Sequence, residues 1–156
     1  MQLSPLQLRK YVINALTLRA VDGYDTANPQ AGAITLRVTD LAHGNTEREK
    51  WKVGLSVALH ESDEGVEPPY LMEVEIEGYF DFLDLSADED HAAALVLVNG
   101  GGLLYSAVRE HVWTLTSRGR WSAFVLPTLD LRDLREGLVR AEVLAAGDEP
   151  AAQTSP

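Results

Sequence analysis

Between Tyr70 and Phe82 the chain alternates without a break. Met72, Val74, Ile76, Gly78, Phe80 and Phe82 fall on one side, and Leu71, Glu73, Glu75, Glu77, Tyr79 and Asp81 on the other. A period of two with one apolar and one charged face predicts a half-buried antiparallel strand. Trp51 to Leu59 repeats the pattern, with Trp51, Val53, Leu55, Val57 and Leu59 set against Lys52, Gly54, Ser56 and Ala58. The polar stretch Glu61-Ser62-Asp63-Glu64-Gly65 between them reads as a hairpin loop. Ala33 to Thr39 places Ile34, Leu36 and Val38 together on a third strand. Leu6 to Ala20 alternates imperfectly and would tolerate a helix, but Val12-Ile13 and Thr17 favour strand there. Val21 to Gln30, rich in Asp, Gly, Asn and Pro, is a loop that must travel, and Leu41 to Glu49 is a shorter polar loop.

After the strands the period changes. Ser86 to Val98 predicts a short helix capped by Ser86, with Asp88, Glu89 and Asp90 in its first turn. Gly100-Gly101-Gly102 then opens the main helix, whose stripe is Leu104, Ala107, Val108, His111, Val112 and Leu115. Gly119 ends it as a C-cap, with Arg118 beside the last carbonyls. An apolar connector, Trp121, Phe124, Val125 and Leu126, has neither period. Leu131, Leu134, Leu138 and Ala141 then recur at three- and four-residue spacing, which predicts a final helix from near Thr128. Residues 1–146 make one domain and residues 147–156 a frayed tail. Strands followed by helices imply an α+β fold: a four-stranded antiparallel sheet, a long packing helix and a C-terminal helix. One helix of about 17 residues spans only about 25 Å. It leaves apolar sheet uncovered, for which two-fold pairing with a second copy is the usual remedy.

Composition narrows the function classes. The chain has 156 residues, 13 of them basic and 24 acidic, for a net charge of −11. That balance disfavours nucleic acid and anionic membranes, which need clustered Lys and Arg, and suits basic partners. The chain has no cysteine, so disulfides and thiolate metal sites are excluded. Met1 to Lys10 lacks the apolar stretch of a signal peptide. No apolar run reaches about 18 residues, so no membrane insertion is expected. The expected location is the cytoplasm.

No catalytic constellation stands out, and no cofactor or metal is expected. His43, His60, His91 and His111 lack metal-ligand spacing. His111 sits on the apolar stripe of the main helix, and His91 in a helix start. The carboxylates Glu73, Glu75, Glu77 and Asp81 alternate on one strand face, as solvated residues do. Asp84 to Asp90 lacks the Gly and bidentate Glu of a calcium loop. Gly100-Gly101-Gly102 is not followed by the Lys-Ser/Thr of a phosphate loop, so close backbone approach or a flexible helix entry is its expected use. Ser106 has no base partner in any recognisable motif. The apolar connector fits either core packing or a groove wall that takes extended segments of another chain.

Two blocks carry a family resemblance. One runs from Val108-Arg109-Glu110 through Ser117-Arg118-Gly119 to Leu126-Pro127-Thr128-Leu129-Asp130-Leu131. The other is Leu71-Met72-Glu73-Val74 leading to Gly78-Tyr79-Phe80. In their order and spacing, from about Leu6 to Leu144, the chain resembles the SecB family of export chaperones. The resemblance implies a homotetramer, a dimer of dimers without enzymatic activity. It would hold unfolded or nascent chains in apolar grooves and hand them to the translocation ATPase SecA. It matches Leu71 and Glu73 to the translocase-docking face. Met72, Val74, Ile76, Val108, His111, Val112 and Leu115 match the oligomer interface. Tyr24, Trp121, Phe124, Leu126, Leu131, Leu134 and Leu138 match the client groove.

The chain departs from the family pattern in places. The first strand offers Asn14, Thr17, Leu18 and Arg19 where typical members carry docking acids. Tyr24 is the only aromatic of the crossover loop, Trp121-Ser122 follow Gly119 where a Pro is usual, and the tail has no metal-binding or basic character. The leading expectation is an ATP-independent holdase for export. The alternatives are a chaperone dedicated to an antitoxin of a toxin–antitoxin system and, last, a small-molecule-binding α+β protein.

Overall fold

The computed structural model describes residues 1–44 and 50–143. The tail 147–156 and most of the polar loop before Trp51 lie outside the described residues. Four strands follow the predicted segments: β1 (Leu6–Ala20), β2 (Ala33–His43), β3 (Lys50–His60) and β4 (Tyr70–Phe82). A helical stretch follows in three parts: α1 (Glu89–Leu95), a π-helical turn (Val96–Gly100) and α2 (Gly101–Thr116). The chain then passes through a connector and a 3₁₀ turn (Arg132–Glu136) into a fifth strand, β5 (Leu138–Glu142). All neighbours in the sheet are antiparallel, in the order β1-β4-β3-β2-β5.

The α+β expectation holds, with two corrections. The sheet has five strands, and the predicted C-terminal helix is a 3₁₀ turn and a strand. Leu131, Leu134, Leu138 and Ala141 keep helical spacing. Yet Val139 and Ala141 also alternate with Leu138, Arg140 and Glu142, and the free edge of β2 selects that reading. Leu36 opposes Val139 and Ile34 opposes Ala141, so β2 gains a partner for backbone groups otherwise unpaired. Gly137, at φ 90°, makes the reversal between turn and strand. Only glycine adopts such an angle readily.

The imperfect period of β1 has a geometric cause. Its pairing with β4 shifts between Leu8 and Lys10 and again between Ile13 and Ala15. Each bulge inserts one residue and returns the next apolar side chain to the inner face. Tyr11, Ile13, Leu16 and Leu18 are thereby paired with Gly78, Ile76, Val74 and Met72, the inward positions of β4.

The helix is capped two residues later than Ser86. Its N-cap is Asp88, which accepts a bond of 2.8 Å from the His91 amide. The run Glu89–Thr116 is unbroken, 28 residues in all. By length and composition it could cross a membrane, which the sequence reading excluded. Its apolar face is spent on the sheet instead: Val96, Leu104, Val108 and Val112 are buried in the same core as Val53, Leu55, Val74 and Ile76. The three glycines are no flexible entry. A Cβ on Gly100 would stand 3.1 Å from the Phe80 ring, and one on Gly101 2.5 Å from Leu134 Cδ2. Gly100 and Gly101 let the helix lie close against sheet and connector, whereas a Cβ on Gly102 would make an ordinary contact 3.7 Å from Leu131 Cδ1; the π turn sits at that approach.

Candidate functional site

The connector from Arg120 to Leu131 has no regular structure, yet hydrogen bonds with side chains fix it at Trp121, Phe124, Leu126 and Pro127. The Trp121 amide donates to Tyr70 Oη (2.9 Å), and its indole N–H donates to the Val21 carbonyl (3.0 Å). The Phe124 amide donates to Thr116 Oγ1 (2.8 Å), and that buried hydroxyl donates to the Val112 carbonyl (2.7 Å). Arg109 Nε donates to the Leu126 carbonyl (2.9 Å) and Tyr105 Oη to the Pro127 carbonyl (2.7 Å). Burial pushes the Tyr105 hydroxyl well above its ordinary pKa, so it stays a donor. Apart from the bond to the Val112 carbonyl, which lies within α2, each bond satisfies a backbone group outside the sheet and helices. Gly119 belongs to the same device and is not a left-handed cap. A Cβ there would come within 2.5 Å of Tyr70 Oη, the atom that receives the Trp121 amide.

The crossover loop is held from the other side. Tyr24 Oη donates to the Gln30 carbonyl (2.7 Å) and accepts from the Gln30 amide (2.8 Å). The Tyr24 and Trp121 rings stand 5.7 Å apart, and the Arg120 guanidinium lies 5.2 Å from the Trp121 ring while bonding Asp22 at 2.7 Å. Between loop and connector opens a hollow of about 370 Å³, walled by Tyr24, Pro29, Pro69, Trp121, Phe124, Val125 and Val143. Val125 stands on it half-exposed, at 51%. Its walls are fixed by hydrogen bonds at their backs and present apolar faces forward. It can take apolar side chains of a chain laid across it, with Thr26, Gln30 and Ser122 as the polar residues of its lining.

The residues assigned to the groove divide. Tyr24, Trp121 and Phe124 meet in the hollow. Leu126 and Leu134 are fully buried in the core, Leu131 packs half-buried against it, and Leu138 points from β5 to the opposite face of the sheet. Val125 belongs to the connector expected as either core or groove wall, and it is wall; Val143 and the prolines Pro29 and Pro69 are wall residues that the sequence reading did not assign, with loop prolines beside aromatics as the available signal.

The residues assigned to the oligomer interface divide too. Met72, Val74, Ile76, Val108 and Val112 are buried within one protomer, between sheet and helix, and have no surface left for a second copy. Leu115 is 44% exposed, and His111 lies beside β1 with Nε2 3.1 Å from Tyr11 Oη. Leu103 and Trp113, exposed on α2, were not assigned. On the outer face of the sheet Leu71 is half-buried and Glu73 exposed. Glu73 lines a second hollow of about 520 Å³, of mixed character, with Thr35, Arg37, Ser56, His60 and Arg140 beside Ile34 and Ala58.

Two further details bear on chemistry. Asp81, expected on the solvated face, is buried between Arg9 and Lys50, the latter at 2.9 Å. Lys50 and then Arg9 hold its carboxyl below the ordinary range against the opposing effect of burial. Among the described residues no cluster of His, Asp or Glu could hold a metal ion.

No protein-family model matches the sequence, and no curated protein does. Solved structures do. The SecB-like chaperone Rv1957 of Mycobacterium tuberculosis, solved with a ChAD peptide from the HigA1 antitoxin, superposes with a TM-score of 0.58 at 20% identity, over 80% of this chain and 91% of that one. A Streptococcus agalactiae protein of unknown function aligns over 79% of this chain and 97% of its own, with a TM-score of 0.40 and 9% identity. Two packed loops, a five-stranded antiparallel sheet and one long core helix thus lie on a known frame, and the fold of this chain is SecB-like.

Proposed function

We propose that the protein is a holdase chaperone that binds extended polypeptide segments without ATP. The observation that carries this reading is the hollow at Tyr24, Trp121, Phe124 and Val125: apolar, open and rigidly backed, on a SecB-like fold. Capture would rest on apolar side chains burying against its walls, at roughly 25 cal/mol per Å² of apolar surface. Several such hollows in one assembly would add by avidity. The assembly is proposed as a homotetramer. The long exposed edge of β1, with Tyr11 and Leu16, and the α2 residues Leu103, Trp113 and Leu115 supply apolar surface for it.

A second reading is favoured by one finding: the Mycobacterium neighbour was solved with an antitoxin peptide. A dedicated client of that kind would use the same hollow. The export reading adds docking to SecA through Leu71 and Glu73 in the cytoplasm. Arg37 and Arg140, on the same sheet face, work against it by diluting the acidity.

The test is suppression of aggregation of a reduced, unfolded client by purified protein without nucleotide. Val125→Asp places a charge on the open wall and leaves the core untouched. The expected result is suppression by the wild type that falls at least several-fold in the variant. No suppression, or equal suppression by both, would overturn the reading.

A further inference from the structure

β5 uses only one of its two edges. Hydrogen bonds of 2.9 Å flank its ladder with β2, from the Val38 amide to the Gly137 carbonyl and from the Val143 amide to the Gly32 carbonyl. Bonded pairs alternate in an antiparallel ladder, so Val139 and Ala141 turn their backbone groups towards Leu36 and Ile34. Leu138, Arg140 and Glu142 turn theirs outward. β5 is the last strand of the sheet, so among the described residues nothing pairs with those groups. Edge strands are normally blunted by shortness, charged side chains, proline, a bulge or a covering segment, and of these β5 shows its length of 5 residues and the charges of Arg140 and Glu142. β5 has no proline, lysine or bulge, and the side chains of Leu138, Arg140 and Glu142 are exposed.

Both faces beside this edge are prepared for a visitor. On the inner side Val143, the next residue after β5, is part of the apolar hollow with Trp121, Phe124 and Val125. On the outer side Arg140 lines the second hollow with Arg37, which sits diagonally across the ladder, and with the carboxylates Asp63, Glu73 and Glu142. Neither arginine has an anionic partner among the described residues, in a chain of net charge −11.

We propose that a bound polypeptide segment is held as a sixth strand on the free edge of β5, with an apolar side chain in the hollow at Val143 and an acidic side chain against Arg140. The proposal rests on the reading of the hollow as a client site and adds what selects the client. Successive side chains of a strand point to opposite faces, so one extended segment reaches both hollows. Val143 and Arg140 are three residues apart, about 10 Å along a strand. The preferred segment therefore carries its apolar and acidic residues three positions apart. Main-chain bonds supply affinity and the two side chains supply choice.

The experiment is fluorescence anisotropy of the full-length protein with a labelled peptide of about ten residues bearing Phe and Glu at that spacing. Peptides N-methylated at alternate backbone positions form two series, one blocking the edge and one facing away from it. Methylation in one series is expected to weaken binding about tenfold or more, the scale of one to two backbone bonds, and in the other to leave it unchanged. Leu138→Pro removes an outward amide without removing a ladder bond to β2, and should match the blocked series. Arg140→Gln should weaken the Glu peptide and leave its Gln counterpart unaltered.

If both series and Leu138→Pro bind like the unmodified pair while Val125→Asp still weakens binding, the strand is overturned and the hollow stands. If Leu138→Pro changes the size of the particle in light scattering and not peptide affinity, the edge joins copies of this chain, and the proposal is overturned. Wild-type protein that neither binds peptide nor suppresses aggregation overturns both readings.

Discussion

Asp81 is the residue at which the charged pattern of β4 breaks. Its position in the alternation is outward, yet it is buried, and Lys50 and Arg9 close over it from the two neighbouring strands. Register decides this: Asp81 pairs with Gln7 on β1 and with Lys50 on β3, and the bulge after Leu8 brings Arg9 alongside. Its folded pKa is depressed, with the Lys50 bond the largest cause. A depressed carboxylate contributes stability that is present above the unfolded value and lost as pH falls through the folded one. We therefore expect the thermal midpoint to drop between about pH 5 and pH 2, and Asp81→Asn to be less stable at neutral pH with a shallower acid slope. Parallel acid slopes in wild type and variant would show that other carboxylates set this dependence. Tyr105, Arg109, Thr116 and Tyr70 act at the same scale. Each gives its polar atom to a connector backbone group, so the hollow's walls are built from their backs.

The helical run from Glu89 to Thr116 shows what an element owes to its neighbours. A triple glycine is a poor helix former, each Gly costing about 1 kcal/mol relative to Ala. The run stays helical because it is packed against the sheet and connector, where Gly100 and Gly101 leave the space that Phe80 and Leu134 occupy. Gly101→Ala sets a methyl 2.5 Å from Leu134 Cδ2. It should destabilise by about 1–3 kcal/mol despite its better helix propensity. Leu134→Val retracts the clashing methyl, so the double variant should be more stable than the sum of the singles predicts. Urea denaturation of the four proteins measures this; additive losses would mean that the contact is relieved by movement of the 3₁₀ turn. β5 makes the same point from the sheet side. Its residues satisfy helix and strand periodicity about equally, and the unpaired backbone of β2 decides between them.

At the scale of the molecule, charge and apolar surface act over different ranges. The net charge of −11 extends into solvent by about a Debye length, roughly 10 Å at 0.1 M salt. The hollow acts only on contact. A basic unfolded client should therefore bind the protein more weakly at about 0.5 M salt, where screening shortens that reach, and a neutral client should change little. Titration of the two clients at both salt concentrations tests this, and an identical response would remove the electrostatic contribution. Arg140 and Arg37 are local exceptions to the acidic field. They confine any preference for acidic side chains to one edge of the sheet.

The sequence by itself determined β2, β3 and β4 with their inward faces, and the Leu104, Val108 and Val112 stripe of α2. Each rests on a periodicity that survives any arrangement of neighbours. It also determined that Tyr24, Trp121 and Phe124 are aromatic residues in segments without regular structure, which made them legible as candidates. Only the tertiary structure decided that these three share a hollow while Leu126 and Leu134 do not, because that depends on which side of an irregular connector faces the core. It decided likewise that Met72, Val74, Ile76, Val108 and Val112 are consumed within one protomer. An apolar stripe states that a face will be buried, and not against what. The bulges of β1, the burial of Asp81 and the conversion of the last helix into β5 were hidden for the same physical reason. Each is set by a partner strand tens of residues away, whose backbone bonds and side-chain contacts outweigh the local preference.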